Sequence, residues 1–176
     1  PDAIFFEYDL NNESFKKHGN WLENKVYHGP ERSWRSVPRS LICANDGKVY
    51  TSGDGGLIHY FDTKSEEIKS TNMRIPGEYW ITKHYKGYPV VEQLVRSEED
   101  SGMVYGSTSD GFIFKARLGD EKIISLGKPM VARRVRAMTL GKDQRLYLIC
   151  GEKDAVCRMF SYHTSKDEGF LDDGVL

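Results

Sequence analysis

The sequence predicts an all-β fold built from repeated four-stranded antiparallel sheets. Short runs of β-branched and aromatic residues recur along its 176 residues, Asp-Gly and related turn dipeptides separate them, and no stretch sustains a helical period. An aromatic content of 12% and 17 glycines belong with such a chain.

The elements follow in order. Ile4-Phe5-Phe6-Glu7-Tyr8-Asp9 and Ser14-Phe15-Lys16-Lys17 read as two strands. A first complete unit runs Ser40 to Ala44, an Asn45-Asp46-Gly47 turn, Lys48 to Ser52, the Gly53-Asp54-Gly55-Gly56 turn, Leu57 to Asp62, and Ile68 to Ser70. A second runs Gln93 to Val95, Met103 to Ser107, Phe112 to Arg117 and Ile123 to Leu126. A third runs Ala137 to Leu140, Arg145 to Ile149, Arg158 to His163 and Gly169 to Leu171. Tyr50, Tyr105 and Tyr147 hold one place in the three units. The third strand ends 12 residues after the tyrosine in the first two units and 16 after it in the third, so the last hairpin is longer.

Self-similar four-stranded units of this size are the sequence sign of β-propeller blades. The expected layout is one propeller portion over 1–176: a half-blade at 1–19 and blades at about 39–72, 92–127 and 136–173. The opening pair matches the third and fourth strands of a blade. That makes about three and a half blades, against roughly four to eight in a closed ring. Two copies would bring the same half-blade and could not complete each other. With Pro at position 1, the preferred reading is a portion of a propeller of about seven blades, completed by its remaining blades or by a partner chain. The formal charge of −1, from 25 basic and 26 acidic residues, argues against nucleic acid as a partner. No apolar run is long enough for a membrane span.

The segments Gly-Lys-Val-Tyr-Thr-Ser, Gly-Met-Val-Tyr-Gly-Ser-Thr-Ser-Asp-Gly and Gly-Phe-Leu-Asp-Asp-Gly-Val-Leu resemble bacterial propeller repeats of Kelch or NHL type. In those, DG-x-[ILV]-Y-G is followed by L-F-x-Y-D and the unit closes on D-L-G. The resemblance covers most of the chain and marks the fold. Propellers of this look occur in sugar-processing systems, polysaccharide lyases among them, and the resemblance points to a periplasmic or secreted location. Fold likeness alone transfers no chemistry.

Two long connections hold the candidate site residues. One, about Asn20 to Pro38, carries Trp21, His28, Arg32, Trp34 and Arg35; the other, about Asn72 to Val91, carries Trp80, His84, Tyr85 and Tyr88. Aromatic faces stack on sugar rings and guanidinium groups pair with carboxylates. These residue types therefore suit an acidic oligosaccharide, with Arg32, Trp34, Arg35, Arg39, Tyr88, Arg134 and Arg136 as binding residues. The same parts would serve β-elimination on a uronate polymer. His28 or His84 would then be the base, Tyr85 or Tyr88 the acid, and Arg35 or Arg134 the partner of the carboxylate. Two other readings stand beside these. The loop aromatics, Trp21, Trp34 and Trp80, can simply form a small core under the loops, and the propeller can be a non-catalytic scaffold for a protein.

Register adds a further feature. Arg39, Glu92 and Arg136 enter the innermost strands at matching places, with Arg133 and Arg134 nearby. The mouth of the central channel is then locally positive, which suits an anionic ligand, unless arginine and glutamate of adjacent blades pair with each other. No metal or cofactor is expected, since the Asp-Gly pairs read as turns and zinc or phosphate-loop spacings do not occur. If Lys153-Asp154 forms the turn, Cys150 and Cys157 face each other across the hairpin, as a disulfide or as two buried thiols. Cys43 reads as core.

Overall fold

The computed structural model describes residues 3–22, 37–77, 90–131, 134–151, 156–166 and 168–176. They form part of a β-propeller. β1 (Ile4–Asp9) and β2 (Ser14–Asn20) make an antiparallel pair. β3 (Ile42–Cys43), β4 (Lys48–Ser52), β5 (Leu57–Asp62) and β6 (Glu67–Arg74) form the first four-stranded blade. β7 (Val91–Arg96), β8 (Met103–Thr108), β9 (Ile113–Arg117) and β10 (Lys122–Gly127) form the second. β11 (Val135–Leu140), β12 (Arg145–Cys150), β13 (Arg158–His163) and β14 (Phe170–Val175) form the third. Every strand pairs with its sequence neighbour, so each blade is a simple meander.

Turn chemistry fixes the hairpins. In the first blade Asp46 Oδ1 accepts from the Lys48 N–H and Asp46 Oδ2 from the Tyr50 hydroxyl at 3.2 Å; in the third, Asp143 does the same for Arg145 and, at 2.6 Å, Tyr147. The connection from third to fourth strand ends each time on a left-handed residue: Glu13, Glu66 and Glu121 at φ 50–56°, and Gly169 in the third blade.

The blades stack through two apolar layers. Between the first and second lie Tyr50, Ile58, Met73, Val91, Val104, Phe114 and Ala116, all buried. Between the second and third lie Tyr105, Ile113, Val135, Met138, Leu148 and Phe160. Alternation along each strand sends successive side chains into opposite layers, which is why both sides of the second blade are apolar. The first strands β3, β7 and β11 lie beside one another, the arrangement that lines a propeller's central channel. Phe5, His18 and Trp21 pack the β1–β2 pair onto the remaining side of the first blade, with Phe5 and Phe61 rings 4.8 Å apart.

Two sequence expectations are corrected. Cys43 is exposed, not core. It heads the row Cys43–Val49–Phe61 on the side facing the β1–β2 pair. Phe61, at the outer end, is 3% exposed under Phe5 and His18, while the inner end has no strand of that pair above it. Cys150 does not face Cys157: it pairs with Arg158, so the hairpin register is offset by one residue. Neither forms a disulfide, and burial pushes the Cys150 thiol up to about 12, with a smaller contribution from Cys157.

Candidate functional site at the channel mouth

His28, Arg32, Trp34, Arg35, His84, Tyr85 and Tyr88 lie outside the described residues, as do Trp80 and Arg133. Arg39, Arg134 and Arg136 are described, and the structure brings them to the end of the first strands where the long connections enter.

The backbone there is tied across blades. The Arg39 N–H donates to the Val91 carbonyl at 3.0 Å, and the Val91 N–H donates to Ser52 Oγ at 2.8 Å. Ser40 Oγ accepts from the Leu94 N–H, while its carbonyl accepts from the Thr51 hydroxyl at 2.6 Å. Trp21 is buried and its indole N–H donates to the Ser52 carbonyl at 2.9 Å. That is the packing role among its alternatives. Its own carbonyl lies 3.3 Å from Nδ1 of His59, a buried imidazole the sequence did not single out.

Glu92 is the centre of the polar cluster. The ladder between β7 and β8 shifts between Val91 and Gln93, leaving Glu92 as a bulge residue, and an equivalent shift leaves Arg136 unpaired in β11. A bulge re-aims the side chain out of the blade face. Thus residues that simple alternation would bury in the layers instead point to the strand entrance. Glu92 keeps only 5% of its side chain exposed, and its Oε1 accepts a hydrogen bond from Arg39 Nη1. Arg134 Nε lies 3.9 Å from the same oxygen. Arg136 is exposed and its Nε donates to the Gly151 carbonyl at 3.3 Å.

One carboxylate therefore joins arginines from the segments before β3 and β11. The pairing of adjacent blades that the register allowed is what the structure shows, yet it does not neutralise the mouth: Arg39, Arg134 and Arg136 outnumber Glu92 among the described residues. Glu92 Oε2 and the Ser107 hydroxyl, both buried at this end of the second blade, have no hydrogen-bond partner among those residues. Buried polar atoms are paired in the great majority of cases, which sets these two apart at this end of the blade. No group of three His, Cys, Asp or Glu among the described residues could hold a metal ion. No helix among them is long and apolar enough to cross a membrane.

Solved structures resemble the chain over nearly its full length. A protein described as a "putative 6-phosphogluconolactonase" from Bacteroides fragilis matches 98% of it with a TM-score of 0.59 at 13% identity. One of the same description from Bacteroides uniformis matches 97% with a TM-score of 0.57, also at 13% identity. The extracellular domain of a "putative hybrid two component system" from B. thetaiotaomicron matches 97% at 12% identity and TM-score 0.53, over 20% of that chain. The present chain spans about half of the two Bacteroides proteins named first, 51% and 50%. No protein-family model and no curated protein matches the sequence. At these identities the likeness is one of fold: propeller-type architecture, shared with proteins two of which carry sugar-related names, and no particular repeat family.

Proposed function

We propose that this chain binds an anionic ligand of the acidic-oligosaccharide class at the channel mouth, with Arg39, Arg134 and Arg136 as the cationic contacts and Glu92 holding the first two in place. The observation that carries this reading is that two guanidinium groups, of Arg39 and Arg134, meet on one buried glutamate at the entrance of the first strands, with a third, of Arg136, held on the Gly151 carbonyl. A planar guanidinium pairs bidentately with a carboxylate. Arg136 lies within β11, and a rigid strand fixes the direction of a guanidinium better than a loop would. The sugar-related names of the structural neighbours agree with this ligand class.

The test is calorimetric titration of the intact natural gene product with a galacturonate oligomer and with its methyl ester. The acid form binds and the ester binds at least about tenfold more weakly. Arg134→Ala and Arg136→Ala each weaken the acid form by roughly 10- to 100-fold, the range of a charge-assisted hydrogen bond, and added salt weakens it further. Equal binding of acid and ester, or arginine variants that bind like wild type, would sink the reading. The lyase version adds β-elimination, with His28 or His84 as base, Tyr85 or Tyr88 as acid, and Arg35 or Arg134 against the carboxylate. Growth of ultraviolet absorbance from unsaturated product separates it from binding alone.

A further inference from the structure

The three blades share one strand layout with a tyrosine at the same place in each second strand, and at the equivalent positions the third blade alone is left partly open. Tyr50 and Tyr105 project from the second strands of the first and second blades towards the blade that follows, and they are 4% and 6% exposed. Two residues further on, the cross-strand pairs Ser52–Ile58 and Ser107–Ile113 are sealed, none of the four residues being more than 3% exposed. The corresponding positions in the third blade are Tyr147 and the pair Ile149–Met159. They have the same strand, the same Asp-anchored hairpin and the same direction, yet all three are only half-buried. Ala137, opposite Ile149, and Leu171, opposite Ser161, extend this apolar surface and are exposed.

The opposite end of the stack repeats the pattern. Phe5, Lys16 and His18 face the first blade, Lys16 reaching Glu66 at 2.5 Å. By alternation Phe6, Tyr8 and Phe15 face away from it, and they are 52%, 46% and 75% exposed. Among the described residues β1 has a strand neighbour on one side only. The exposed Cys43 and Leu41 lie at the inner end of the first blade, where a completed neighbouring blade would cover them.

We propose that both end faces are internal interfaces of a larger ring, occupied by further four-stranded blades of the same polypeptide. One blade seats on Tyr147, Ile149 and Met159; a strand pair adds beside β1, and its blade neighbour covers Phe6, Tyr8 and Phe15. Two established interfaces in the chain already show the mating surface, an apolar row like Val104–Ala116 or Leu148–Phe160. The two Bacteroides structures have about twice the length this chain spans, which is room for the missing blades. A second copy does not fit the role, because its own half-blade supplies third and fourth strands and not the first and second that β1 lacks. This inference is independent of any ligand.

Hydroxyl-radical footprinting of the wild-type natural gene product, with its solution mass by light scattering, tests it without a variant that could misfold. Tyr8 and Tyr147 are expected to react within about threefold of buried Tyr50 and at least about tenfold more slowly than expected for half-open side chains, with Leu10, 84% exposed, as the reactive control. The product is expected to be monomeric. Protection that appears only at concentrations where the product dimerises assigns the faces to a second copy and overturns the proposal. So do Tyr8 and Tyr147 that remain reactive in a monomer.

Discussion

At Gly106 the residue is dictated by the ring opposite it. Gly106 pairs with Phe114 across β8 and β9, and a β-carbon built there would sit 2.1 Å from Cζ of that ring. Phe114 is 1% exposed and packed in the layer between the first two blades, so it has nowhere to retreat. Overpacking of this kind costs typically about 1–3 kcal/mol. Gly106→Ala is therefore expected to lower the thermal midpoint by several degrees, read by circular dichroism or calorimetry, and an unchanged midpoint would mean the ring has slack the packing does not show. Gly53 stands in the same relation to buried His59, whose ring atoms lie 2.0–2.2 Å from such a carbon. Gly106 within β8 and Gly53 just past the end of β4 each make room for a large ring in the next strand, which keeps the close packing of the layers.

At the scale of the hairpin, stability is tied to ionised aspartates. Asp143 is held below its ordinary value of 3.8 first by the Tyr147 hydroxyl, Asp100 and Asp172 by the guanidinium groups of Arg117 and Arg158, and Asp9 and Asp62 by the N–H groups of Asn11 and Lys64. A carboxylate whose folded value is depressed stabilises the fold above its unfolded value and loses that contribution as pH falls through the folded one. The melting temperature is expected to drop on acidification below about pH 4. Asp143→Asn should be less stable at neutral pH but show a shallower decline in acid; curves that stay parallel would remove Asp143 from the account. These same turns were what made the strands legible in the sequence, since Asp46-Gly47 and the residues around Asp143 announce where one strand stops and the next begins. Less legible was anything that depends on counting across an irregularity. The offset that pairs Cys150 with Arg158 is invisible without the course of the connection between β12 and β13. The bulges at Glu92 and Arg136 convert apparent layer residues into mouth residues. The sequence did align Arg39, Glu92 and Arg136, and at both bulges a buried valine, Val91 or Val135, precedes the charged residue. It did not reveal that one glutamate would engage two arginines, because partners from segments far apart in sequence meet only once the blades are stacked.

Over the whole molecule, protection from solvent should follow position in the stack and not strand sequence. The second blade is covered on both sides, by the Tyr50–Ile58 layer and by the Met138–Phe160 layer. Among the described residues the β1–β2 pair has a single ladder and one covered side, and the third blade is covered on the side of Val135, Met138, Leu146, Leu148 and Phe160. Opening free energies within one fold run from near zero at weakly packed edges up to the global value in the best-packed strands. In the 176-residue chain, hydrogen exchange followed by mass spectrometry should find β8 and β9 slowest and β1 and β2 fastest, separated by about a hundredfold or more. Equal protection of β1–β2 and β8–β9 would mean that the half-blade opens only when everything does, and that the aromatic cluster of Phe5, His18, Trp21 and Phe61 couples it to the first blade as firmly as the blades are coupled to one another. The graded outcome carries a corollary for the site. Arg39, Glu92 and Arg134 come from the first, second and third blades' inner margins, so the mouth keeps its geometry only while the blade contacts hold, and the weakest of those contacts sets how well the arginines are preorganised for an anion.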